Sequence, residues 1–171
     1  MRIKAQNIIL WSVLLIAIIV AAIGIKKALD YNSVPSKNAR ILEKNLCSNF
    51  TSDDSEVTGK VKNLISVDYD KMIVFSPYQP VESMEKQIGF KYSKLKESIS
   101  EGMNNIIFIK DNSVVAYIYG YPESKGYYLD VAAGEYTKNQ LDNMEYKRQK
   151  KQQASNSSDT SKIVMHYKFN N

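Results

Sequence analysis

A single cysteine and a single histidine are all that 171 residues supply for thiol or imidazole chemistry. Cys47 has no partner within the chain, so an internal disulfide is excluded, and an oxidising compartment is neither demanded nor ruled out. With His166 as the only imidazole, the usual Cys and His zinc sites cannot be assembled. Neither a GxxxxGK[ST] loop nor a GxGxxG fingerprint occurs, which removes the recognisable cradles for nucleotide phosphates. No metal and no cofactor is expected. Acidic residues are outnumbered, 18 Asp and Glu against 23 Lys and Arg, for a net charge of +5. The excess lies mostly at the two ends, and the middle is nearly balanced. A nucleic-acid protein would carry a basic stripe interleaved with stacking aromatics, and the absence of one removes nucleic acid from the expected partners.

Near its start the chain has uninterrupted apolar sequence. From Asn7 to Ile25 it reads NIILWSVLLIAIIVAAIGI, without a charged residue. About 19 helical residues at 1.5 Å each cover roughly 28 Å, close to the hydrocarbon thickness of a bilayer. Trp11 lies near one end, and Arg2, Lys4, Lys26 and Lys27 flank the run, as at membrane interfaces. A buried core helix is usually shorter or two-faced, whereas this one is apolar all round. A cleaved signal peptide is the rival, with Val20 and Ala22 at the positions before a cut. The run is longer than a signal peptide's apolar region, and Lys26 and Lys27 follow at once, which favours retention. Cys47 lies too far from the run for a lipoprotein. A short basic tail before an apolar run is the layout of an export signal. The expected location is therefore the cell membrane, single-pass, with the N-terminus inside and the C-terminal domain outside. The lipid bilayer is the first expected partner.

About 110 residues after the anchor suffice for one packed domain. The expected division is a tail over 1–6, a transmembrane helix over 7–25, a linker and amphipathic helix over 26–59, an α+β domain over 60–136, and a polar basic tail over 137–171. Asp30 to Ser36 reads as a linker, followed by a helix to about Cys47, and Thr51 to Gly59 as a polar loop. Leu64 to Phe75 looks like a strand stopped by Pro77 and Pro80. Pro80 opens a helix that Gly89 closes, and the spacing of Tyr92, Leu95, Ile99 and Met103 predicts another from about Ser93. Asn105 to Lys110 and Ser113 to Tyr119, joined through Asp111-Asn112, form the clearest hairpin signal, expected at the sheet centre. Tyr127 to Val131 adds a third strand, giving an antiparallel β-meander with two or three helices. Thr137 to Thr160 reads as a helical tail or a disordered spacer, and Lys162 to Phe169 as a final edge strand.

No residue set stands out for catalysis. His166 follows a polar segment, and no serine sits in a Gly-x-Ser-x-Gly setting, so its ordinary reading is a surface strand histidine. Cys47 lacks a redox partner and reads as a helix-face residue. Asp68 and Asp70 alternate along the expected strand and share a face, an arrangement most often merely solvated. Asp53, Asp54 and Glu56 lack the ligand spacing of an EF-hand loop. The informative excess is tyrosine, twelve in all. Tyr117, Tyr119, Tyr121, Tyr127 and Tyr128 cluster around the hairpin and the loop after it, as candidate partner-binding residues, and cross-strand packing is the competing role.

The segment Asp70-Lys71-Met72-Ile73-Val74-Phe75-Ser76-Pro77-Tyr78, with the Pro80 helix and the hairpin, resembles small membrane- or lipid-anchored proteins of Gram-positive bacteria. The likeness covers Val67 to Val131 and carries no functional residues. It implies an exported domain on a bacterial membrane, where Asn49 and Asn156 would not be glycosylated despite their sequon form. The expected function is a membrane-anchored, non-enzymatic surface protein that binds another cell-envelope component, a protein or a glycan. The alternative is an immunity or inhibitor protein acting against a toxin or enzyme at the membrane.

Overall fold

The computed structural model describes residues 2–47, 56–153 and 162–170. The apolar run lies in one long helix, α1 (Arg2–Asn32), within which Trp11–Asn32 is long and apolar enough to cross a membrane. Every residue of it from Trp11 onward is exposed, Trp11 itself at 69%. The expected linker is reduced to one residue. Ser33 separates α1 from α2 (Val34–Cys47), and its hydroxyl donates to the Asp30 carbonyl at 2.7 Å while meeting the Ser36 hydroxyl at 3.0 Å. These short local bonds replace the helical bonds lost at the break.

The remaining elements are β1 (Val57–Lys60), α3 (Val61–Leu64), β2 (Lys71–Val74), α4 (Val81–Ile88), β3 (Asn104–Lys110), β4 (Ser113–Gly120), α5 (Pro122–Lys125), β5 (Tyr127–Asp130), β6 (Gly134–Thr137), α6 (Lys138–Asn143), β7 (Glu145–Gln153) and β8 (Lys162–Asn170). They build two four-stranded sheets, the first in the order β1–β7–β8–β5 and the second in the order β4–β3–β2–β6. All pairings are antiparallel except β5 with β8. The fold is α+β.

The larger core joins Leu42 and Leu46 of α2 to Met72, Val74, Ile106, Phe108 and Ile118 of the second sheet and to Tyr127, Met165 and Tyr167 of the first. The opposite face of the second sheet buries Ile73, Ile107 and Ile109 against Met84 and Ile88 of α4. The second sheet is thus apolar on both faces, and β3 reads as an unbroken hydrophobic run for that reason. Pro80 starts α4 and Gly89 ends it at φ 87°, as the sequence indicated. The β3–β4 hairpin turns through Asp111 and Asn112 at φ 48° and 56°, the left-handed pair of a type I′ turn. The strand after it departs from the expected meander, because β5 leaves the hairpin's sheet and pairs with β8. β4 accordingly lies at an edge rather than at the centre, and α2 runs along it. The Asn38 amide donates at 2.8 Å to the carbonyl of Val115, the bulged residue of β4.

Four further expectations are corrected. Residues 93–103 form no helix. Their backbone is taken by side chains of the sheet, with the Asn105 amide donating to the Lys96 carbonyl at 3.0 Å and the Tyr119 hydroxyl to that of Glu97 at 2.9 Å. Ile99, a core position in the helical reading, is 69% exposed. The strand expected over Leu64 to Phe75 shrinks to β2, since Val61–Leu64 makes a helical turn and Tyr69 swings into the core. The polar tail expected over 137–171 instead supplies α6 and the two longest strands, and β8 lies inside its sheet. Within the expected loop 51–59, Val57–Lys60 is a strand. Residues 51–55, the part of the expected helical tail or spacer over 154–160, and both sequons lie outside the described residues.

Two adjacent asparagines hold these parts together. Asn104, 1% exposed, donates its amide to the Tyr127 carbonyl and accepts from the Leu129 amide, each at 3.0 Å. It thereby occupies the free edge of β5 much as one residue of a neighbouring strand would. Asn105, on the other face of β3, binds Lys96, Ser98 and the Tyr117 hydroxyl. Asn104→Ala strands a buried carbonyl and a buried amide of β5, and a loss of about 2–4 kcal/mol is expected. Urea unfolding of the full chain in detergent micelles would measure it.

Candidate functional site

The five tyrosines singled out from the sequence do not gather on one surface. Tyr117 and Tyr119 share a face of β4, with ring centroids 6.0 Å apart, and Tyr92 meets Tyr117 edge-on at 6.1 Å. Their hydroxyls are occupied internally, Tyr117 by Asn105 and by the Lys96 amide, Tyr119 by the Glu97 carbonyl. Tyr121 is exposed at the start of α5. Tyr127 is fully buried and its hydroxyl has no hydrogen-bond partner among the described residues. Burial therefore pushes that hydroxyl far above the ordinary tyrosine range. Tyr128, the next residue along β5, projects to the opposite face and is half-buried.

That opposite face is the outer surface of the first sheet. Strand register sets its composition, because residues directly opposite one another share a face. Lys147 faces Lys168, Gln149 faces His166, and on the other side of β8 His166 faces Tyr128 while Lys168 faces Asp130. Together Asp130, Lys147, Gln149, Lys151, His166 and Lys168 line an open concavity of about 290 Å³. None of these side chains is buried. His166 forms the floor. Its side chain is 17% exposed, its ring centroid lies 5.1 Å from that of Tyr128, and Nε2 lies 3.8 Å from an Asp130 carboxylate oxygen. Burial, with Lys151 nearby, holds its imidazole below the ordinary histidine range, and Asp130 opposes this more than Lys168 reinforces it.

Glu56 closes one side, pairing with Lys147 at 2.8 Å and accepting from the Gln149 amide at 2.8 Å. Lys151 and Lys168 enter no ion pair among the described residues. No family model, curated protein or solved structure matches the chain. Among the described residues this face offers cations, one acceptor carboxylate, an amide, an imidazole and a phenol, with no serine, threonine or cysteine lining it beside the histidine.

The other residues with chemical potential are placed elsewhere. Asp68 pairs with Lys110, and the Asp70 carboxylate accepts from the Asp111 amide at 2.9 Å, so both brace the hairpin from an irregular segment instead of alternating along a strand. Cys47 ends α2 half-buried; burial, reinforced by Glu43 and opposed by Lys125, pushes its thiol up and slows its reaction. Among the described residues no group of three or more His, Cys, Asp or Glu is suited to hold a metal ion. Sequence reasoning missed the lysine face because Lys147 and Lys151 lie in a stretch without apolar alternation. The one available signal was the equal spacing of His166 and Lys168 with it once β7 and β8 are paired.

Tyr127 and Tyr167 make a controlled comparison. Both are fully buried, but the Tyr167 hydroxyl donates to the Leu46 carbonyl at 2.7 Å whereas that of Tyr127 donates to nothing described. Tyr167→Phe should cost about 1 kcal/mol and Tyr127→Phe nothing, or stabilise slightly. Thermal unfolding of the two variants in parallel checks the contrast.

Proposed function

We propose that this chain is a membrane-anchored, non-enzymatic surface protein. Its N-terminus lies in the cytoplasm, its sheets lie outside the cell, and the outer face of the first sheet binds another component of the cell envelope. The observation that carries this reading is the junction between α1 and the domain. Lys94 pairs with Asp30 in the last turn of α1 at 3.1 Å, and the Arg40 guanidinium lies 3.8 Å from the Tyr31 ring centroid. The apolar helix is thus continuous with the folded unit through a one-residue break, as suits a tether and not a leader to be removed.

Height supports the same reading. Asp30 lies five residues beyond Ile25, about 7.5 Å along a helix, which is the depth of a headgroup layer. Lys26 and Lys27 occupy that layer, and the domain begins where it ends. The face that remains for a partner is the polar one of β7, β8 and β5, which retains Tyr128 of the five tyrosines.

Topology can be tested by chemistry. Because burial slows Cys47, the reporter is Glu101→Cys in a Cys47→Ser background, Glu101 being exposed. Labelling by a membrane-impermeant maleimide in intact cells is the expected result. Reaction only after lysis would sink the surface reading.

A further inference from the structure

We infer that the concavity on the outer face of the first sheet takes an acidic polysaccharide, with Lys151 and Lys168 as its cationic contacts, Gln149 and His166 lining the path between them and Tyr128 beside His166. This names a ligand class for the envelope-binding role proposed above and rests on it.

The charges favour an anion. Three lysines surround the concavity against one carboxylate of its own, Asp130, and Glu56 at the rim is committed to Lys147 and Gln149. Lys147 and Lys151 lie four residues apart on β7, roughly 13 Å along a strand. Lys168 lies opposite Lys147 on β8. The cations are therefore set at both ends of a row and not gathered at one point, as suits a chain that repeats its negative charge.

The shape and the remaining groups favour sugar over other anions. A stable protein–protein interface centres on aromatic or aliphatic anchors in a desolvated pocket, and every residue lining this concavity is polar or charged. A single-stranded nucleic acid needs a series of open aromatic rings, and among the described residues the concavity has the His166 imidazole and, beside it, one phenol ring, that of Tyr128, which already lies against His166. Sugar hydroxyls both donate and accept. Asp130 can receive from them, the Lys151 and Lys168 ammonium groups can donate to them, and Gln149 and Tyr128 can do either.

His166 supplies the measurement, since it is the only histidine and its ring signals are unambiguous. The groups facing it are Lys151, Lys147 and Gln149 from β7, Lys168 from its own strand, and Tyr128 and Asp130 from β5. The full chain, isotope-labelled in zwitterionic micelles, is titrated with polygalacturonate oligomers, with dextran oligomers, and with polyglutamate. Polygalacturonate should shift the imidazole signals saturably and dextran should not. A bound carboxylate stabilises the imidazolium, so the histidine titration midpoint should rise with ligand present and binding should tighten as pH falls.

The exposed pair Lys151→Gln and Lys168→Gln should weaken the apparent Kd about three- to thirtyfold without unfolding the chain. Unmoved His166 signals at high polygalacturonate, or the same Kd in the double variant, would overturn the site. Equal binding of polyglutamate would overturn the assignment to a glycan. Micelles are indifferent to cell topology, so failure here sinks the ligand class alone, while failure of the Glu101→Cys labelling sinks the surface reading alone.

Discussion

The amide of Asn104 is the constraint on which the arrangement of the two sheets depends. The second sheet packs Ile106 and Phe108 against Tyr127 and Leu129 of β5 by apolar burial, but that burial is non-directional and sets no backbone register between them. Asn104 does, by giving the β5 backbone one donor and one acceptor at a buried position. Through β5 the constraint reaches β8, and through the parallel register of those strands it places Tyr128 beside His166. A core asparagine thus positions side chains on the far surface. Its neighbour Asn105 performs the same service on the opposite face, where it holds the irregular segment that ends at β3.

These two residues also explain where the sequence was legible and where it was not. The α1 run, the Pro80–Gly89 helix and the Asp111-Asn112 hairpin each carry their own local signal, in hydropathy or in dihedral preference, and each appears where those signals place it. The segment 93–103 carried a helical spacing that failed, because Asn105, Tyr117 and Tyr119 offer its backbone partners that no local pattern reveals. Strand β7, reading EYKRQKKQQ, contains one large apolar residue, Tyr146, whose ring meets Tyr167 at 5.5 Å. It is a strand because β8 pairs along its whole length and β1 along Glu145 to Arg148. A polar sequence between two good neighbours becomes a strand by tertiary context, and composition points the other way.

The candidate surface inherits that difficulty. Tyrosine abundance drew attention to β4, where the hydroxyls turn out to be spent on holding the 93–103 segment. Lysine abundance near the C-terminus read as a solvated tail. Once β7 is folded back on β8, alternation sorts its basic residues, with Lys147 and Lys151 outward and Arg148 buried at 5% exposure. Period two, applied to a run without apolar markers, gives the face its charge; the sequence alone gives no reason to apply it.

The single-residue break at Ser33 has a mechanical consequence. A flexible linker would let a tethered domain sample a hemisphere above its anchor. Here α1 ends in a hydroxyl-braced corner, and the ion pair of Lys94 with Asp30 adds a second contact that narrows the angles between helix and domain. In the proposed arrangement the lysine face would sweep a band of narrow height around its anchor. Its encounters would then be those of a two-dimensional search, favouring polymer strands that lie within that band above the lipid.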